Sequence, residues 1–550
     1  MNNLKLVLAF ILVNLLLLSC HTERSRQDQV STMISHIDSP FFIATLTPQN
    51  LIDKSGIEDG VLSYIEQTFV SFFISSHNTG IDNTEQVQII ASKGTGITPD
   101  IYSIFKLSNP KKFEFLINKE LNEEVKEKDG FKYFVYDNYY IITWQGEFAV
   151  GCNITIDFKT LLGGKGSSND KVINKCISLL KASNDADLNT KYKDFLSKNN
   201  DISTYFETKN VLTYLKNTKD IKTLEEKFNN TTHESALNFE IGKITLTQNF
   251  ILTDLLKKEL GFINNNGIDS ELFKYGKSKN PTVSYSVNVN SNKALEYLKT
   301  ELNESEFSQM INELNKTGLT VDELANSFSG QVLIMIDSFE TKVELIDVGY
   351  GAPFETKRNE PIMGAVFGIK NKSTLSKSFK DIKVLENGFM TFESQLFGYV
   401  NDHVFFVSND SNWVVKVMNG ESVEIEKKEE LTDNPYGLYA INDLEKNKHL
   451  LEGDMLIAAL FTKAYGFANL DHSNFTIELK NTTDNALKVI SKYLSKIAHQ
   501  IESDNNLEME EMLDDEILED VEDALKDVEK ILEDVDVNSL MNDLLKEVNK

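Results

Sequence analysis

The fold is decided by residues 40–54, PFFIATLTPQNLIDK, in which an apolar run gives way to a polar breaker and then to helix-spaced apolar residues. The same pattern recurs in residues 201–216 (DISTYFETKNVLTYLK), 281–299 (PTVSYSVNVNSNKALEYLK) and 435–444 (PYGLYAINDL). Apolar residues alternate in half-buried strands and recur every three or four positions in amphipathic helices. Each stretch therefore predicts a strand followed by a short helix.

The spacing of the four stretches indicates an internal duplication. Positions 40 and 281 are 241 residues apart and positions 201 and 435 are 234 apart, while the spacings within the halves are 161 and 154. A repeat of supersecondary units at a nearly fixed offset is typical of a duplicated architecture.

Shorter likenesses extend the duplication. A strand–turn–helix–hairpin unit begins at Tyr102 and again at Gly364, and residues 235–241 resemble residues 472–479. Strands with interleaved short helices predict an α+β fold of duplicated, mainly antiparallel sheets with short helices packed on one side. We expect the first half at residues 39–275 and the second half at residues 276–500.

The N-terminal residues predict an export signal. An apolar run over residues 6–18 follows Lys5. A spanning helix needs roughly 20 apolar residues, so the run predicts a signal peptide over residues 1–19. The run ends in LLSC, which resembles a bacterial lipobox and implies acylation of Cys20. Residues 20–38 are polar and predict a tether. The alternative is an ordinary secreted protein with an incidental cysteine.

A family resemblance follows from these features together. The lipobox, the tether, the strand–helix stretch ending in residues 53–56 (DKSG) and the following strand–Asn-Pro–helix–hairpin unit resemble uncharacterised Bacteroidota lipoproteins, classed as a domain of unknown function. The resemblance covers residues 36–500 and implies no known activity, catalytic residue or cofactor. It implies a lipoprotein of the cell envelope, bound to the outer membrane through the lipid on Cys20. A lone Glu23, in place of the acidic run typical of surface export, favours a periplasm-facing protein.

Composition narrows the partners. The 550 residues exceed one ordinary core, so two or more domains are expected. A net charge of −28 excludes a basic field for nucleic acid. Besides Cys20 the chain has Cys152 and Cys176, which form either a disulfide or two buried thiols.

The C-terminal residues 501–550 are strongly acidic. Apolar positions within residues 516–536 alternate spacings of four and three, which predicts an amphipathic helical seam of coiled-coil type. Two interpretations remain open: a solvated or folded-back helix, and self-association or docking to a basic partner.

Local catalytic motifs are absent from the sequence. The eight histidines form no His-Glu-x-x-His pair, and no Gly-x-Ser-x-Gly elbow occurs. We therefore predict no metal ligand, catalytic residue or cofactor. The favoured hypothesis is a non-enzymatic binding or scaffolding lipoprotein with a protein or glycan partner at the seam between its halves. The alternative is an envelope hydrolase whose site is assembled from sequence-distant residues.

Overall fold

The computed structural model describes residues 25–56, 79–94, 99–137, 139–154, 169–183, 189, 191–214, 227–301, 308, 320–346, 354–377, 383–384, 389–392, 396–441 and 460–493. The predicted signal peptide, Cys20 and the acidic tail lie outside these residues. The chain divides into two compact units. The larger unit comprises residues 1–56 and 70–489, and of the smaller unit only residues 490–493 are described.

Within the described part of the chain, twenty strands form one antiparallel sheet. In chain order they are β1 (Pro40–Leu46), β2 (Val87–Ser92), β3 (Asp100–Lys106), β4 (Lys126–Lys128), β5 (Phe131–Tyr136), β6 (Tyr140–Gln145), β7 (Phe148–Asn153), β8 (Ile202–Glu207), β9 (Thr232–Glu240), β10 (Lys243–Ile251), β11 (Val283–Asn288), β12 (Phe328–Ile346), β13 (Phe354–Ile369), β14 (Lys383–Val384), β15 (Phe389–Thr391), β16 (Phe397–Val400), β17 (Val404–Ser408), β18 (Tyr436–Ile441), β19 (Phe461–Ala468) and β20 (His472–Leu479).

The strand order is the same from either edge of the sheet. The hydrogen-bonded order is β4-β5-β6-β7-β3-β2-β1-β8-β9-β10 and then β20-β19-β18-β11-β12-β13-β17-β16-β15-β14. The halves join where β10 pairs with β20, from Lys243 opposite Glu478 to Asn249 opposite His472. Each strand of one half therefore has a counterpart at the same distance from this junction.

The positions of the strands in the sheet agree with the main sequence likenesses between the halves and disagree with one of them. Strands β1 and β11, β8 and β18, and β3 and β13 hold equivalent places, as the spacing of residues 40, 201 and 102 from their partners predicts. The likeness between residues 235–241 and 472–479 is not a structural equivalence, because it pairs β9 with β20. By strand order, β9 corresponds to β19 and β10 to β20.

Twelve α-helices and one 3₁₀-helix are bounded within the described residues. They are α1 (Arg26–Ser35), α2 (Pro48–Ser55), α3 (Pro110–Lys119), α4 (Asn169–Ala182), α5 (Lys193–Leu196), α6 (Thr208–Tyr214), α7 (Asp254–Glu259), the 3₁₀-helix η1 (Ser270–Tyr275), α8 (Ser291–Glu301), α9 (Val321–Ser327), α10 (Lys372–Lys377), α11 (Ser411–Met418) and α12 (Glu429–Thr432).

Helices cover both faces of the sheet, and the prediction that they pack on one side is wrong. We call the face that carries Ile43 and Ile104 the back face and the opposite face, which carries Phe105, the front face. Helices α1, α4 and α5 cover the back face in the first half, and η1, α11 and α12 cover it in the second. Helix α3, and in the second half α9 and α10, pack on the front face. Outer strands such as β3 are apolar on both faces, so both need cover.

The tether is shorter than the predicted residues 20–38. Val30, Met33, Ile34 and Ile37 are buried in the first core against Ile43 and the other back-face residues. The spacing of Val30, Met33 and Ile34 places these three on one side of α1, which Ser25 caps by accepting a hydrogen bond from the Asp28 amide. The segment therefore begins the first folded half.

The boundary between the halves also lies earlier than residue 276. Leu272 and Phe273 of η1 are buried in the second core, next to Trp413 and Val366. By position before β11, η1 is the counterpart of α1 before β1. The second half therefore starts between the end of β10 at Ile251 and this helix.

Candidate functional site

The middle of the front face carries no charged side chain. Antiparallel partners point to the same side of a sheet, so the pairing registers assign the residues of each face. In the middle part of the ten strands from β2 through the junction to β12, 32 residues point to the front face, and none of them is Asp, Glu, Lys or Arg. They are Phe42, Ala44, Leu46, Val87, Ile89, Ala91, Ile202, Thr204, Phe206, His233, Ser235, Leu237, Phe239, Ile244, Leu246, Gln248, Phe250, Val283, Tyr285, Val287, Val332, Ile334, Ile336, Tyr436, Leu438, Ala440, Ala464, Gly466, Ala468, Ser473, Phe475 and Ile477.

These 32 residues, here called the uncharged face, are not a buried core. All of them except Gly466 are half-buried or exposed, and Ile89 and Tyr285 reach 38% and 37% exposure. By contrast, back-face residues such as Ile43, Ile90 and Leu333 are at most 1% exposed. The sheet therefore presents a broad, uncharged and mainly apolar surface that the described residues leave partly accessible.

His233 is the single histidine of the uncharged face, and its surroundings favour the neutral ring. The imidazole stacks on Phe250 with the ring centroids 4.6 Å apart, and its Nε2 lies 3.1 Å from the Ser235 hydroxyl. Burial lowers the pKa of His233 below its usual value. Near neutral pH the ring is therefore uncharged, and the whole surface has no ionised side chain.

The back face at the same junction is polar. Strands β10 and β20 direct Thr245, Thr247, Asn474 and Glu478 to this side. Glu478 is 2.9 Å from the Lys463 ammonium and accepts a hydrogen bond of 3.0 Å from the Tyr465 hydroxyl. The two faces of the junction therefore differ in chemistry: one suits water, whereas the other suits an apolar contact.

A polar groove of about 370 Å³ lies on this back face beside the C-terminal end of α5. Its lining includes Ser203, Ala236 and Thr247, and an ion pair between Lys198 and Glu234. Amide and hydroxyl groups dominate the rest of the lining. The groove resembles solvated surface more than a closed ligand pocket.

A second cavity, of about 360 Å³, lies at the end of β2 and β3 against α4. Asp100 is 2% exposed and forms an ion pair of 2.7 Å with Lys175. The Tyr102 hydroxyl lies 3.5 Å from the same carboxylate, and burial raises the pKa of Tyr102 above its usual value. The Ser92 hydroxyl, which also lines the cavity, is buried and without a hydrogen-bond partner among the described residues.

Of the residues singled out from the sequence, the structure brings together Cys152 and Cys176. Cys152 on β7 and Cys176 on α4 are buried in the first core, and both are present as free thiols. A hydrogen bond with Cys152, together with burial, raises the pKa of the Cys176 thiol well above its usual value. A disulfide between them stays a prediction. Cys20 lies outside the described residues.

Neither a metal cluster nor a spanning helix is found in the described part of the chain. No group of three or more His, Cys, Asp or Glu residues there has the arrangement of a metal site. No helix there has both the length and the apolar character to cross a membrane.

The uncharged face was missed by motif-based reasoning. Its signal is present in the sequence, since strand β10 (KITLTQNFI) alternates: three of the four residues on one side are apolar (Ile244, Leu246 and Phe250), and most residues on the other side are polar. What the sequence does not give is the order of the strands, which joins ten such stripes into one surface.

Comparison with known proteins identifies a family. No curated protein matches the chain. Crystal forms III and I of TP0453 are 12% and 10% identical to it, and the matches cover 44% and 45% of this chain and 88% and 90% of theirs. Their TM-scores of 0.26 and 0.25 are too low to indicate a shared fold. Residues 67–446 match the family described as a domain of unknown function (DUF4836), and the chain belongs to that family.

Proposed function

We propose that this protein is a lipid-anchored, non-enzymatic binding protein of the bacterial cell envelope, built from two duplicated halves. The observation that carries the proposal is the uncharged face, which continues without interruption from β2 of one half to β12 of the other. An apolar surface of this breadth on a single chain marks a binding surface.

The duplication supports a binding role because neither half contains the whole surface. Each half contributes five of the ten strands, and the paired β10 and β20 lie at the centre. An equivalent order of strands in both halves is what a duplicated and fused domain would have. The acidic tail is a separate candidate for self-association through residues 516–536.

The chemistry of the uncharged face restricts the class of ligand that it can bind. A glycan presents many hydroxyl groups, which lose hydrogen bonds to water when they are placed against aliphatic side chains. Side chains such as Leu237, Leu246 and Phe475 offer no replacement. Where it contacts these aliphatic and aromatic side chains, the partner is therefore apolar.

The anchor is tested by replacing Cys20 with Ser. We expect the Cys20→Ser protein to lose metabolic labelling with a palmitate analogue and to leave the membrane fraction after a high-salt wash, because no other N-terminal group would be acylated. Cys152→Ser is the matched control, since its thiol is buried and should leave labelling unchanged. A Cys20→Ser protein that still sediments with membranes contradicts the anchor.

A further inference from the structure

We propose that the uncharged face binds the aliphatic chains of a lipid molecule, such as a long-chain fatty acid. This deepens the proposed binding function by naming the chemical class of the ligand. The two sides of the same strands differ in polarity. At the junction the back face is polar and interacts well with water. The free energy of binding a ligand at the junction would therefore come from burial of the front face.

The uncharged face is wide enough for extended hydrocarbon chains. Ten strands at about 4.8 Å spacing give a face about 43 Å wide. Three or four side chains per strand point to it, from Phe42 near one end to Val332 near the other. The face keeps part of the surface of every residue except Gly466 accessible. It can accommodate extended hydrocarbon chains.

The uncharged face differs in charge from the rest of the chain. A quarter of all residues in the chain are charged, yet none of the 32 residues on this face is. His233 is held neutral by its burial. An aliphatic chain brings no charge or hydrogen-bonding group, and it therefore loses nothing when it is taken out of water on this surface.

The helices at both ends of the face favour a lipid over a second copy of the protein. At one end of the face α3 packs on the front of the sheet, with Phe113 against Phe105 at 6.0 Å between ring centroids. At the other end Leu324 of α9 and Leu375 of α10 belong to the same apolar cluster as Phe405 of β17. A second sheet of the same width would bring its own helices against these, whereas thin flexible chains fit between them.

The test is a titration of the purified full-length Cys20→Ser protein, delipidated on a hydrophobic resin, with the fluorescent C18 fatty acid cis-parinaric acid. The Cys20→Ser background removes the protein's own acyl chains as competitors, and it makes the result independent of whether the chain is anchored. We expect saturable binding. Failure of the anchor would leave this titration unchanged, and failure of the titration would leave the membrane fractionation unchanged.

Two neighbouring substitutions on β10 provide the matched comparison. Leu246 points to the uncharged face and Thr247 to the polar back face, and both are half-buried. We expect Leu246→Glu to weaken fatty-acid binding by at least about tenfold, because a carboxylate would be placed against hydrocarbon, and Thr247→Glu to change it less than about threefold.

A variant without a new charge keeps the test decisive if Leu246→Glu fails to fold. Ala464 lies on the same face in β19, and Ala464→Trp should reduce the number of fatty-acid molecules bound by filling space. Absence of saturable binding, or equal effects of Leu246→Glu and Thr247→Glu in folded proteins, overturns the proposal. So does a dimer that Leu246→Glu dissociates, or a protein that Leu246→Glu unfolds while Ala464→Trp leaves binding intact.

Discussion

At the scale of single residues, Asp410 shows how one carboxylate supports the second half. It caps α11 by accepting hydrogen bonds from the amides of Asn412 and Trp413, at 2.9 and 3.3 Å, and it pairs with Lys277 at 2.8 Å. Burial alone would raise the pKa of Asp410, but the ion pair and the two amide donors outweigh it, and the pKa lies below its usual value. The charged form is therefore the stabilising one.

We expect Asp410→Ala to lower the free energy of unfolding by about 1–2 kcal/mol at pH 7, the usual cost of losing a helix cap. A carboxylate whose native pKa is depressed stabilises above its unfolded pKa of about 3.9 and loses this effect as the pH falls through the native value. Denaturant unfolding should thus show a difference from the wild type that narrows below about pH 4.

Asp402→Ala is the control for this measurement. Its carboxylate is 3.2 Å from the Lys372 ammonium, and its side chain is 81% exposed. An exposed ion pair contributes little, so the change should stay within about 0.5 kcal/mol at any pH. A constant Asp410→Ala difference from pH 7 to pH 3 would contradict the role of its charge.

At the scale of elements, α1 is the clearest departure from the sequence prediction. Residues 21–38 are polar on average, and this average hides four apolar residues at spacings of three, one and three: Val30, Met33, Ile34 and Ile37. Helical spacing in a short segment is easily missed when the segment is interpreted as the tether that follows a predicted lipobox. The helix completes the back-face core of the first half.

Substitutions in α1 separate a tether from a core helix. Ile34 is fully buried, so Ile34→Ala should lower the free energy of unfolding by about 2–4 kcal/mol through lost burial and the cavity left behind. Gln29 on the same helix is only half-buried, and Gln29→Ala should be nearly neutral. Equal midpoints of urea unfolding for the two variants would mean that this segment is not part of the core.

The strand–helix pattern could be predicted because alternation and helical spacing are local properties. The relation of residues 40–54 to 281–299 needed only an offset in the sequence. The uncharged face could not be predicted in this way, because it depends on long-range pairs such as Leu246 with Phe475. The same dependence on long-range pairing explains why the sequence likeness between residues 235–241 and 472–479 does not correspond to equivalent strands.

At the scale of the whole molecule, the junction predicts that both halves unfold together. Strands β10 and β20 pair over seven residues, which makes the sheet continuous. The chain has two tryptophans, Trp144 in the first half and Trp413 in the second, and both are buried. Each is therefore a reporter of one half.

We expect Trp144→Phe and Trp413→Phe proteins to be only mildly destabilised, and the fluorescence of the remaining tryptophan to follow one transition. Within each variant, the midpoint from fluorescence should equal the midpoint from far-ultraviolet circular dichroism, since a shared sheet couples the halves. Far-ultraviolet circular dichroism averages over both halves and serves as the internal control. Two separated midpoints would indicate halves that fold independently despite the paired strands.

The matched strand order has a consequence for how the protein avoids aggregation. Among the described strands, the two that end the sheet are β4 and β14, which hold equivalent places in the two halves. They are three and two residues long, and β4 exposes Lys126 and Glu127. Short or charged edge strands are poor templates for other chains. The long strands β10 and β20 would be better templates for another chain if they were edge strands, and they pair with each other instead.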